Sequence, residues 1–122
     1  MARIMVVEDE DNQRLLYRRE LEDDGHEVIE ASGGKQAVSL IEKGLHPDLV
    51  VLDISMPDMD GIEALGKILS RDNTIPVILN TAYATYKDNF MTWSADAYVV
   101  KSSDLSELKH KINDILTKRK NR

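Results

Sequence analysis

The sequence predicts an α/β domain, a parallel sheet covered by helices on both faces, and three observations predict it. Five short apolar runs alternate with five helical stretches along the chain, and alternation of that kind settles into parallel strands joined by crossover helices. The central run, Leu49-Val50-Val51-Leu52, is apolar at four consecutive positions, as a strand buried on both faces must be. Four runs lead into polar or charged residues, Glu8 with Asp9, Asp53, Thr81 and Lys101, at the strand tips where open α/β sheets place their chemistry. The pattern alone leaves the strand order open.

Ile4-Met5-Val6-Val7 reads as the first strand. Asn12 to Asp24 reads as a helix capped by Asp9, Asp11 or Asn12, with Leu16, Tyr17 and Leu21 on one face and Gln13, Glu20 and Asp24 interrupting the apolar stripe. Gly25 stops it, and Val28 to Ala31 is the second strand. Gly33 and Gly34 form a turn, Ala37, Val38 and Ile41 mark a second helix closed by Gly44, and Pro47 precedes the central strand. After the loop that ends at Gly61, Ile62, Leu65, Ile68 and Leu69 sit at helical spacing, and Pro76 to Asn80 is the fourth strand, with Pro76 at its first position.

Between Ala82 and Ser94 the pattern is least regular. Phe90, Met91 and Trp93 anchor a short fourth helix there, surrounded by weak helix formers. Ala97 to Val100 is the fifth strand. The last helix follows Asp104, an N-cap with Glu107 three residues on, and carries Leu105, Leu108, Ile112, Ile115 and Leu116 on one face.

A length of 122 residues is that of a single domain able to bury its own core. The absence of cysteine excludes disulfides, thiolate metal sites and cysteine nucleophiles. A net charge of -6 argues against nucleic-acid binding through a basic face. No apolar run resembles a signal peptide or a membrane span, so the expectation is a cytoplasmic protein without membrane contact. The basic run Lys118 to Arg122 reads as a solvated helix end, or as the start of a linker to a missing output domain. His26, His46 and His110 lack ligand spacing and read as surface or boundary residues, and Gly33-Gly34 lacks the pattern of a nucleotide-binding loop.

Taken singly, each strand-tip residue has a plain reading. Glu8 and Asp9 serve as capping acids, Lys101 as a lysine reaching solvent from a strand end, and Thr81 alone says nothing. Parallel strands bring all of them to one edge. Glu8, Asp9 and Asp53 then form a hard, oxygen-rich site suited to Mg²⁺, or to Mn²⁺. A threonine hydroxyl and a lysine ammonium suit phosphoryl oxygens, and Asp53 becomes the nucleophile of an acyl phosphate.

The chain resembles the receiver domain of two-component response regulators over essentially its whole length. The residues that carry the resemblance are Val6-Val7-Glu8-Asp9-Glu10, Val51 to Gly61 around Asp53, Asn80-Thr81-Ala82, and Tyr98-Val99-Val100-Lys101. The resemblance implies a flavodoxin-like strand order 2-1-3-4-5. It implies that Asp53 accepts phosphate from a sensor histidine kinase or phosphotransfer protein, with Asp9, Asp53 and the backbone carbonyl of Ser55 on Mg²⁺ and Glu8 acting through metal-bound water. Thr81 and Lys101 grip the phosphoryl oxygens, Tyr98 turns inward as Thr81 moves, and the surface of the fourth helix, fifth strand and fifth helix gains or loses a downstream partner. The family forms monomers or phosphorylation-dependent homodimers. Ser55 and Tyr83 occupy positions that tune hydrolysis of the acyl phosphate, and a bulky Tyr83 implies a long-lived phosphorylated state.

Two departures stand out. Ser102 follows Lys101 where the family usually has proline, and a trans bond is expected because a non-proline cis peptide costs about 2.5–4 kcal/mol. Glu8 stands where many members have aspartate, keeping the charge. A phosphohydrolase is the poorer reading, since Asp53-Ile54-Ser55 has no acid at its second position and the chain has no room for a cap domain. The remaining alternative is a constitutive interaction module that is never phosphorylated.

Overall fold

A computed structural model of the chain describes residues 2–83 and 94–120. In order these residues form β1 (Arg3–Val7), α1 (Asp11–Asp23), β2 (Glu27–Ala31), α2 (Gly34–Glu42), β3 (Leu49–Leu52), α3 (Gly61–Arg71), β4 (Val77–Thr81), β5 (Ala97–Val100) and α4 (Ser106–Lys120). The expected short helix with Phe90, Met91 and Trp93 lies outside the described residues. All strand pairs are parallel and run β2-β1-β3-β4-β5, the flavodoxin-like order that the resemblance implies.

Period-two alternation splits the core into two layers. Met5, Val7, Val50, Leu52, Val77 and Leu79 face Ala37, Val38 and Ile41 of α2 and Ala64, Leu65 and Ile68 of α3. Ile4, Val6, Leu49, Val51, Ile78 and Val99 face Tyr17 and Leu21 of α1 and Leu108 and Ile112 of α4. Because helices cover both faces, every residue of β3 is buried. Each such aliphatic side chain contributes about 1.5–3 kcal/mol by leaving water. Among the described residues no helix is long and apolar enough to cross a membrane.

Several expectations need correction. The cap of α1 is Glu10, whose carboxylate accepts from the Asn12 amide at 3.2 Å. Asp11 is already helical, and Asp9 is left free of capping for the sheet edge. Leu16 is 47% exposed, since the inward row of α1 runs through Tyr17 and Leu21 at i, i+4 spacing and Leu16 lies off it. Gly34 opens α2 instead of lying in the turn. Strand β4 begins at Val77, while the Pro76 carbonyl accepts from Val50 at 2.9 Å.

Asp104 acts at the start of the last helix as expected, through Ser106. It accepts from the Ser106 amide at 2.9 Å and from its hydroxyl, two residues ahead of where α4 starts. Leu108 and Ile112 form the buried row of α4, with Leu105, Ile115 and Leu116 packed at its margins. Gly25 and Gly44 stop their helices as expected, with φ of 93° and 104° that a side chain would resist. No cis peptide bond occurs among the described residues, so Lys101–Ser102 is trans. His26 is half-buried and accepts from the Ala2 amide, His46 is exposed and pairs with Asp72, and His110 is exposed.

Candidate functional site

The parallel register puts the C-terminal ends of β1, β3, β4 and β5 on one edge, and the side chains that leave them converge. Glu8, Asp9 and Asp53 each offer a carboxylate oxygen within 4.8 Å of the others. Glu8 and Asp53 are buried and Asp9 is the least covered of the three. Burying charge is expensive unless partners surround it, and here the partner is Lys101. Its ammonium lies 2.5 Å from Glu8 Oε1 and 3.1 Å from Asp53 Oδ2.

The electrostatics follow from burial. Burial alone draws the Lys101 ammonium down, but its contacts with Glu8 and Asp53 more than offset this and hold it above the usual lysine range. Burial pushes the Glu8 carboxyl up, and Lys101 and the Glu10 amide only partly counter it. Three carboxylates thus face one ammonium. A hard divalent cation fits the oxygen donors and the charge left uncompensated, and Glu8, Asp9 and Asp53 are the side chains placed to hold it.

The loop after β3 is anchored at several points. Asp53 Oδ1 accepts from the Ser55 amide at 3.3 Å. Asp58 accepts from the amides of Gly34, Lys35 and Met59, which ties the loop to the start of α2. Asp60 caps α3 through the Ile62 amide at 2.6 Å. These two acids are structural, and in the sequence only their distance from a strand tip separates them from Asp53.

Thr81, fully buried at the end of β4, sits one strand from Asp53, and its carbonyl accepts from the Lys101 amide at 2.7 Å. Its Oγ1 accepts from the Tyr83 amide at 3.4 Å, and the Tyr83 carbonyl accepts from the Tyr98 hydroxyl. The backbone of Tyr83 therefore joins Thr81 to Tyr98, a link carried by main-chain atoms and invisible to residue type. The Tyr83 side chain is 53% exposed.

Sequence reasoning missed two residues of α1. Gln13, which looked like a break in an apolar stripe, places its amide oxygen 2.8 Å from Lys101 Nζ. Arg14 donates to the Glu8 carbonyl at 2.8 Å and pairs with Asp11 and Glu30, fixing α1 against the ends of β1 and β2. Below Gln13 on the same helix face, buried Tyr17 shares a side-chain hydrogen bond with buried Asn80, and burial raises its phenol. A polar residue four positions before a buried tyrosine, where a helix rises to the sheet edge, was the available signal.

Comparison with known proteins agrees with this geometry. The sequence family described as Response regulator receiver domain matches residues 4–113. Regulatory protein AtoC of Escherichia coli K12 is 42% identical over 108 residues, 87% of this chain and 23% of AtoC. The chain thus spans less than a quarter of that relative. The crystal structure of response regulator TrrA from Thermotoga maritima, in complex with Mg²⁺-BeF, is 42% identical and superimposes with a TM-score of 0.90 over 94% of this chain and 99% of TrrA. A second structure, of TrrA with the histidine kinase ThkA, gives 42% identity and a TM-score of 0.86 over 95% of this chain and 99% of that one.

Proposed function

The chain belongs to the response regulator receiver family, and from that premise we propose that it is a phosphorylation-switched signalling domain in which Asp53 accepts a phosphoryl group from a histidine kinase's phosphohistidine. The observation that carries the reading is the Lys101 ammonium lying against Asp53 and Glu8 beside a three-carboxylate cluster. That arrangement suits a reaction governed by positioning and charge neutralisation.

Asp53 attacks phosphorus in line, the P–N bond breaks, and the departing imidazole keeps the electron pair. Lys101 follows the charge from the Asp53 carboxylate to the phosphoryl oxygens, and the Thr81 hydroxyl turns away from the Tyr83 amide to donate to one of them. Releasing Tyr83 disturbs the hydrogen bond its carbonyl takes from Tyr98, and the surface beside β5 and α4 changes with it. Phosphorylation replaces the single carboxylate charge of Asp53 with a phosphoryl group that carries about -1.5 to -2. Asp9, Asp53 and the Ser55 carbonyl would hold Mg²⁺, with Glu8 acting through water, and the ion would supply charge neutralisation there; the Mg²⁺-BeF complex of TrrA supports the choice of metal. The TrrA–ThkA complex supports a histidine kinase as donor. The downstream partner is a separate protein or a further domain.

Intact-protein mass after incubation with acetyl phosphate and Mg²⁺ tests this. The parent is expected to gain one phosphoryl group, and Asp53→Ala none. A parent that gains none while still binding Mg²⁺ would point instead to a constitutive interaction module.

Cation binding has its own readout in stability. A ligand that binds only the folded state at a hundred times its Kd stabilises by about 2.7 kcal/mol. The thermal midpoint is therefore expected to rise with Mg²⁺, to return on chelation, and to respond far less in Asp9→Asn. An equal rise in Asp9→Asn would remove Asp9 from the cation site.

A further inference from the structure

We propose that Gln13 is a positioning residue for Lys101, holding its ammonium beside Asp53 throughout the phosphorylation cycle; the proposal rests on Asp53 being the phosphoacceptor. A lysine ammonium has three N–H donors, and here they meet three acceptors: Glu8 Oε1 at 2.5 Å, Gln13 Oε1 at 2.8 Å and Asp53 Oδ2 at 3.1 Å. The three acceptors differ in what phosphorylation does to them. Once Asp53 is acylated its carboxylate charge is gone, and its oxygen is no longer a strong partner. Glu8 belongs to the carboxylate cluster that a divalent cation draws upon. Gln13 is neutral, and its amide competes poorly with carboxylates for a hard cation, so its bond to Lys101 survives both events.

Gln13 is also well placed to be the constant partner. It lies in the first turn of α1, which Glu10 caps and which Arg14 fastens to the Glu8 carbonyl. The opposite end of its bond is different. Lys101 follows the last residue of β5 and carries a four-carbon stem whose freedom must be removed before its charge can be aimed. With one N–H held by Gln13, two remain for Glu8 and a phosphoryl oxygen. Gln13 touches no reacting atom itself and acts through Lys101.

The test is Gln13→Met, which keeps side-chain length and helix propensity and removes the acceptor. Acyl-phosphate formation from acetyl phosphate at saturating Mg²⁺ is expected to slow by about tenfold, the lower end of what loss of an outer-shell partner costs. In a Lys101→Met background the same substitution should have no further effect, because its action passes through the ammonium. A merely space-filling Gln13 would instead give equal, multiplying losses in both backgrounds. Nitrogen-15 NMR of the Lys101 ammonium, followed in the unphosphorylated protein, gives a second readout: slow proton exchange in the parent and faster exchange in Gln13→Met.

Parental rate and parental exchange in Gln13→Met would overturn the proposal while leaving Asp53 as phosphoacceptor. A parent that takes no phosphate at all would overturn both.

Discussion

Lys101→Met is expected to slow acyl-phosphate formation by about 10²–10³-fold, the loss typical of removing one preorganised donor from developing negative charge. The same substitution should tighten Mg²⁺ binding. Lys101 is the ammonium paired with Glu8 and Asp53, two members of the three-carboxylate cluster, and its removal deepens the negative potential that a cation meets. Rate and metal affinity thus move in opposite directions, which general damage to the site would not produce. Without Mg²⁺ the variant should also lose about 3 kcal/mol of stability, since two buried carboxylates are left unpaired, and Mg²⁺ should restore much of it. Rate constants from mass spectrometry, a Mg²⁺ titration and urea unfolding check the three parts. A variant with parental rate would take Lys101 out of the phosphoryl site.

How much of this was legible in the sequence depends on whether a feature is local. The buried run Leu49 to Leu52 declared β3 because burial on both faces leaves no room for alternation. Asp53 and Lys101 were legible as chemistry because each follows a strand run at its C-terminal tip. Strand order was not local. It depends on which crossover packs on which face, and only the resemblance supplied it. The polar residues of α1 were misjudged for a related reason. Gln13 breaks an apolar stripe only when the helix is considered by itself, and its partner Lys101 lies 88 residues away in sequence.

The cap of α1 was misjudged by one or two residues. Several acids in a row, Glu8 to Asp11, offer the same hydrogen-bonding group in adjacent positions, and only the backbone path chooses Glu10. Asp104 was identified correctly, because it stands alone before its helix, and it accepts from the Ser106 amide where α4 starts. The Thr81–Tyr83–Tyr98 chain was beyond sequence reading altogether. Its middle member contributes only its amide and carbonyl, which every non-proline residue has.

Gly61→Ala is expected to be the most disruptive single-methyl change in the molecule. Gly61 has no positive φ, so conformational freedom is not what places glycine there. The reason is close approach. A Cβ at this position would lie 2.1 Å from the Asp53 carbonyl oxygen, 2.5 Å from Ile54 Cα and 2.9 Å from the Asp53 carbonyl carbon. These are backbone atoms of the loop that carries Asp53, which a rotamer change cannot move. The Gly61 amide donates to the Ile54 carbonyl at 2.8 Å across the same contact, so relieving the clash stretches or breaks that bond.

Overpacking of this kind costs about 3 kcal/mol, to be seen as a lower urea midpoint at unchanged slope. A displacement of about 1 Å at the nucleophile can cost 10²-fold in rate, so acyl-phosphate formation should fall by about that factor even where the variant is fully folded. Gly66→Ala is the control within α3. Nothing lies within 4 Å of its added Cβ, and alanine in a helix interior should stabilise by about 0.5–1 kcal/mol. Opposite signs at two glycines five residues apart would separate backbone approach from helix propensity, and a Gly61→Ala protein as stable and as quickly phosphorylated as the parent would mean that α3 and the Asp53 loop are not held at this distance.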